Sequence, residues 1–273
     1  MSVTAQGEAG VEERDAAARR RWLGLAVMVA GAAMDLIDVS IVTVAIPSVQ
    51  ADIGAGGTAA EWIVAGYSLA FGVLLVTGGR LGDVHGYRRM YLAGIAGFVL
   101  ASLLCGLAHA PWLLVAARFA QGGCAAVMTP QILSMIRVHF PPAERAKANG
   151  VFAAAVGLSM AAGPLLGGLL LEADLGGLGW RAVFLINLPI GLAVLAAAST
   201  LLPRYRAKRA ARLDPAGVAL LTAALLALLY PLVEGRELGW PWWSFALMAA
   251  ALPLLAAFAR HEARRAAGGA ATR

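Results

Sequence analysis

Apolar residues in this chain come in long unbroken runs divided by short polar connectors. They show neither the alternation of half-buried strands nor the one-sided stripe of a surface helix. Eight runs stand out, at 22–46, 62–78, 90–109, 112–136, 148–171, 183–202, 217–233 and 240–259. A helix crosses the hydrocarbon core with roughly twenty apolar residues, so each run predicts one spanning helix. Helices are expected because backbone groups in lipid must find their partners internally. A β-barrel would instead show ten-residue alternating segments. The predicted fold class is therefore all-α, a polytopic membrane protein with antiparallel neighbouring helices.

Composition strengthens this picture. The chain is 60% hydrophobic and only 14% charged, with a mean hydropathy of +0.74. A water-soluble domain of this length has nowhere to hide that much apolar surface. The basic pI near 9.9 is explained by topology and not by nucleic acid, because Lys and Arg fall between the runs. Arg14, Arg19, Arg20 and Arg21 precede the first run. Arg80, Arg88 and Arg89 follow the second, and Arg137, Arg145 and Lys147 follow the fourth. Arg204, Arg206, Lys208, Arg209 and Arg212 follow the sixth, and Arg260, Arg264, Arg265 and Arg273 the eighth. About 19 of the 22 basic residues thus share one side, with Arg181 and Arg236 opposite. Both termini are predicted cytoplasmic, as an even number of spans requires. The first run is too long for a signal peptide and lacks a cleavage site. Cys105 and Cys124 lie inside apolar runs and give no disulfide or metal spacing. His85, His109, His139 and His261 are scattered. No enzyme, cofactor or metal site is expected.

Ionisable residues inside a span are functional candidates by default. The first run holds Asp35 and Asp38, and the fourth holds Arg118. At 1.5 Å per residue, Asp35 and Asp38 lie about 20 and 24 Å along the first helix. Arg118, on a helix running the other way, lies about 21 Å from the same face. The three are level, so a direct or water-bridged pair forms if the two helices adjoin. Asp35 and Asp38 are three apart and share a helix face. Together they suit holding a proton or a cation, or a static pair that positions helices. Gln121, one turn beyond Arg118, reaches the same place. Trp62 and Tyr67 either line a cavity or sit in the interfacial belt.

Two other segments are distinctive. The stretch TGGRLGDVHGYRR, residues 77–89, is read as a structured cytoplasmic loop. In it Asp83 is set against Arg88 and Arg89 around turn-forming Gly79 and Gly86. The fifth run reads GLSMAAGPLLGG, with Gly157, Gly163, Gly167 and Gly168 making a small-residue surface. Pro164 is expected to bend this helix.

These segments together resemble the major facilitator superfamily. Residues 77–89 are similar to its loop signature through Gly79, Leu81, Asp83, Gly86, Arg88 and Arg89, with Val84 and His85 departing. RFAQGGCAA, from Arg118, resembles the fourth-helix signature, and residues 157–168 resemble the fifth-helix antiporter signature. IDVSIVTVAIP from Ile37, WRAVFLINLPIG from Trp180 and LDPAGVALL from Leu213 are similar to segments of the fourteen-span drug:proton antiporter branch. The resemblance implies proton-coupled efflux of small lipophilic or cationic compounds by alternating access between two six-helix bundles. It implies that Asp38 is the first-helix acid and that Arg118 tunes its protonation. Asp35 is an additional acid that the signature does not assign. It further implies that Asp83, Arg88 and Arg89 clasp the outward-open state, and that Gly163 and Pro164 shape a bending contact.

The expected organisation is a cytoplasmic tail (1–21), a six-helix bundle (22–202), a basic linker (203–216), two added helices (217–259) and a second tail (260–273). Fourteen-span relatives continue into another six helices. The chain is thus expected to be a truncated product, a half-transporter that pairs with a second chain, or a homodimer. A non-transporting fragment, or an assembly or sensor partner built on a transporter half, is the alternative function. The partners expected are the lipid bilayer, a small-molecule substrate and protons.

Overall fold

Lipid-length apolar runs can satisfy their backbone only as helices, and the computed structural model shows eight apolar helical spans. It describes residues 2–203, 214–235 and 238–270, with side chains at 16–203, 214–235 and 238–265. Arg204, Arg206, Lys208, Arg209 and Arg212 of the expected linker lie outside the described residues, as do Leu213, Arg236, Arg273 and the Arg14 side chain. The helices are α1 (Ser2–Ile53), α2 (Gly57–His85), α3 (Tyr87–Gly106), α4 (Pro111–His139), α5 (Pro142–Ala173), α6 (Ala182–Leu185), α7 (Asn187–Leu201), α8 (Pro215–Glu234) and α9 (Trp242–Ala270).

The sixth span is made of two pieces, α6 and α7, interrupted at Ile186. Pro189 explains the interruption. It has no N–H to offer the carbonyl of Leu185, although the backbone at Ile186 keeps helical angles (φ −62, ψ −25). At the first span the helix starts at Ser2. The expected separate tail is therefore continuous with the span.

The expected loop at 77–89 is corrected. Helix α2 runs on to His85 and α3 begins at Tyr87, so the only break is Gly86. Gly86 adopts φ 97, a conformation that favours glycine. The other glycines of the segment act in packing instead of turning. A side chain at Gly78 would strike the Ala126 backbone, and one at Gly82 would strike Gln131. Small residues here bring α2 and α4 into close contact.

Helix α4 lies against α2 and α3, α5 against α1, and α7 against α1 and α3. The pair α8–α9 attaches through α8 to α2. Inside the bundle the apolar core is divided in two. One cluster joins Leu25, Met28, Tyr91, Ile95, Met128 and Met135. The other joins Ile41, Val42, Ile63, Leu114, Trp180 and Phe184. Between them, at the same level on α1, α3, α4 and α7, lies a layer of buried polar residues.

Candidate functional site

The polar layer is built one side chain per helix turn. Asp38 of α1 and Arg118 of α4 are 0% and 1% exposed and form an ion pair at 2.6 Å. The same guanidinium donates to Gln121 Oε1 at 2.6 Å and, through Nε, to the Ile63 carbonyl at 3.0 Å. Gln121 Nε2 donates to Asp38 Oδ1 at 3.0 Å and to Ser102 Oγ at 2.7 Å. Asn187 Nδ2 donates to Asp38 Oδ1 at 2.6 Å and to Ser102 at 3.3 Å. Charge and hydrogen-bonding capacity are therefore matched within a water-excluded core, the condition under which a buried pair is tolerated.

Asp35 belongs to the same layer but to a different set of contacts. Its carboxylate accepts a hydrogen bond from the Tyr67 hydroxyl. The Tyr67 ring lies 4.4 Å from the Arg118 guanidinium, a favourable cation–π distance. Tyr67 is thus shared between Asp35 and Arg118. It is buried in the core and not in the interfacial belt. Gly122 fixes its position, because a side chain there would meet the Tyr67 backbone.

The structure brings together five of the residues singled out from sequence: Asp35, Asp38, Tyr67, Arg118 and Gln121. It adds Ser102 and Asn187. Asn187 had a signal, as a neutral polar residue in an apolar run two positions before Pro189. Ser102 had none, since a lone hydroxyl in a span usually bonds its own helix.

Asp83 and Arg88 of the expected clasp are bonded to other groups here. Asp83 accepts from the Tyr87 hydroxyl at 2.7 Å and, among the described residues, forms no ion pair with Arg88 or Arg89. Its position four residues before Tyr87, across the Gly86 break, gives the phenol first access. Arg88 donates to the Ser199 carbonyl of α7, while Arg89 is exposed. Gly79 lies against Pro130.

The basic residue of this segment that finds acids is Arg80. It meets Glu262 of α9 at 3.1 Å and Asp214 at 3.7 Å. Asp214 caps α8 through the Gly217 amide at 3.0 Å and also meets His261 at 3.0 Å and Arg265 at 2.7 Å. Burial opposes its charge, but the Gly217 amide, His261, Glu262 and Arg265 outweigh that and hold its carboxyl well below the usual carboxylate range. At the far end of α2, Trp62 donates to Glu234 of α8 at 3.0 Å. The α8–α9 pair is pinned to α2 at both ends.

In the fifth span, Gly163 and Gly167 pack on Ser40 and Ile41 of α1. Gly157 and Gly168 face open space, and Pro164 is exposed within a continuous helix. Only half of the small-residue surface is used within this bundle.

A cavity of about 330 Å³ lies beside the Ala17–Met28 stretch of α1 and the C-terminal ends of α4 and α7, lined by Arg20, Arg21, Met28, His139 and Leu202 among others. It includes no residue of the polar layer.

The family model described as Major Facilitator Superfamily matches residues 28–269. A Streptomyces coelicolor protein named "Probable actinorhodin transporter" is 50% identical over 93% of this chain and 44% of its own length. The "Tetracenomycin C resistance and export protein" of Streptomyces glaucescens is 39% identical over 90% of this chain and 45% of its own. "Multidrug resistance protein Stp" of Mycobacterium tuberculosis is 37% identical over 81% and 41%. The chain thus spans a little under half the length of these relatives. Among solved structures, an inward-facing bacterial homologue of the human lysosomal transporter Spinster superposes with a TM-score of 0.58 at 22% identity. It covers 78% of this chain and 52% of its own. The POT family transporter PepTSo superposes with a TM-score of 0.60 at 13% identity, over 86% and 51%. These two likenesses concern the fold.

Proposed function

This chain belongs to the major facilitator superfamily of membrane transporters, and from that premise we propose that it supplies the proton-handling bundle of an exporter of small lipophilic or cationic compounds. The observation that carries this reading is the polar layer. An Asp–Arg pair and a second carboxylate, all buried midway along the bundle, are costly to place in a membrane span and suit a site that exchanges a proton for a substrate. The names of the Streptomyces relatives, one a transporter and one a resistance and export protein, support a transport role over an assembly or sensor role, and the second supports the outward direction.

In this reading the chain belongs to the fourteen-span branch, with α8 and α9 as the two helices that follow the first bundle. The one-sided distribution of Lys and Arg supports both termini lying on the cytoplasmic face of the cell membrane. Alternating access needs a second bundle. It is supplied by further helices, by a partner chain or by a second copy. The exposed face of α5, with Gly157, Pro164 and Gly168, is the surface offered to it.

The test is efflux of a fluorescent lipophilic cation such as ethidium from cells of a strain deprived of its own exporters. The chain is expressed alone and joined to the remaining helices of the S. coelicolor relative. The expected result is export that an uncoupler stops and that Asp38→Asn abolishes. Export unchanged by Asp38→Asn, or insensitive to the uncoupler, overturns the reading.

A further inference from the structure

We infer that Asp35, and not the signature aspartate Asp38, is the carboxyl that takes up and releases the exchanged proton, with Tyr67 relaying its state to Arg118; this rests on the transport reading above. The two acids are one turn apart on α1 but differ in every contact that matters. Asp38 has a cation at 2.6 Å and two amide donors, from Gln121 and Asn187. A proton arriving there must displace an arginine and break a network spanning α1, α3, α4 and α7. Asp35 has no Lys or Arg within ion-pair distance among the described residues. The hydrogen bond it accepts comes from a neutral phenol. Both acids are buried, Asp35 at 4% and Asp38 at 0% exposure, so what separates them is their partners.

The groups that face Asp35 are Tyr67 on α2, Tyr91 on α3, Arg118 and Thr129 on α4, and Asp38 on its own helix. None of these is a second free carboxyl. When a proton lands on Asp35, the carboxylate becomes a carboxylic acid and no other covalent bond changes. The charged acceptor of the Tyr67 hydroxyl becomes a weaker, neutral one. Because the same ring lies 4.4 Å from the Arg118 guanidinium, its loosening alters the seat of Arg118 against Asp38. Tyr67 is a positioning residue in this scheme.

The experiment is infrared difference spectroscopy of the full chain in lipid nanodiscs during a pH titration, following the carbonyl band of a protonated carboxylic acid. A reversible band is expected. It is lost in Asp35→Asn, kept in Asp38→Asn, and its midpoint moves in Tyr67→Phe. Asp35→Glu and Asp38→Glu keep a carboxyl at each place and cover the case of an Asn variant that does not fold: the first moves the band frequency and the second does not. A band that survives Asp35→Asn, vanishes in Asp38→Asn, follows the Asp38→Glu swap, or never appears overturns the assignment. The spectra need no transport. Failure of the efflux experiment with an intact Asp35 band rejects the exporter reading, and the reverse result rejects only the assignment.

Discussion

Replacing Arg118 by Met leaves Asp38 buried in the bundle with amide donors alone. Breaking a buried ion pair from one side costs about 3–5 kcal/mol, so Arg118→Met and Asp38→Asn are each expected to lower unfolding stability by that order in detergent titrations. The double variant should lose much less than the sum, because neither charge is then orphaned. Additive losses would show that the two residues act apart. Asn187→Ala removes a neutral donor to the same carboxylate, and a smaller loss of about 1.5–3 kcal/mol is expected. The contrast between these residues also explains what could be read beforehand. Asp35, Asp38, Arg118 and Gln121 are visible because charges and a long amide interrupt apolar runs. Tyr67 and Ser102 are compatible with any membrane helix, and only the hydrogen bond made in the folded bundle shows that the phenol reaches Asp35.

At the scale of elements, run length was enough for eight helices, while their ends and breaks depended on neighbours. The stretch 77–89 looked like a loop because glycine serves two purposes. Gly86 turns the chain, whereas Gly78 and Gly82 let α2 approach α4. Gly78→Val is therefore expected to separate α2 from α4 and to lower stability by about 1–3 kcal/mol, seen as earlier thermal aggregation. Valine at Gly157, which faces open space, should be neutral in this bundle. The pairing of Arg80 with Asp214 and Glu262 could not be read from spacing, since the partners lie far apart in the chain. Arg80→Ala should loosen the α8–α9 pair, broadening spin-label distances between α2 and α9. The sign of its pH dependence follows from Asp214, whose carboxyl is held below its ordinary value. Such a group stabilises fully above the unfolded-state value near 4 and loses that contribution as pH falls through the folded-state value. The Asp214 contribution should therefore hold above roughly pH 5 and be lost only in strong acid, as read from the spin-label distances in a His261→Gln background that removes imidazole titration.

For the whole molecule, two apolar clusters enclose a polar layer, and a two-helix pair is tied to α2 at both ends. The layer is closed within this bundle, while half of the small-residue surface of α5 stays unpaired. In the proposed reading, proton handling belongs to the bundle itself and substrate passage to a face completed by a second bundle. The most direct measurement is proton movement in everted vesicles carrying the chain joined to the remaining helices of its S. coelicolor relative, with a pH-sensitive dye reporting the imposed gradient. Adding ethidium should dissipate the gradient in the parent protein, and Asp35→Asn should abolish that response while the protein remains helical and membrane-inserted. Ethidium transport with no proton movement, or proton movement unchanged in Asp35→Asn, would contradict the account.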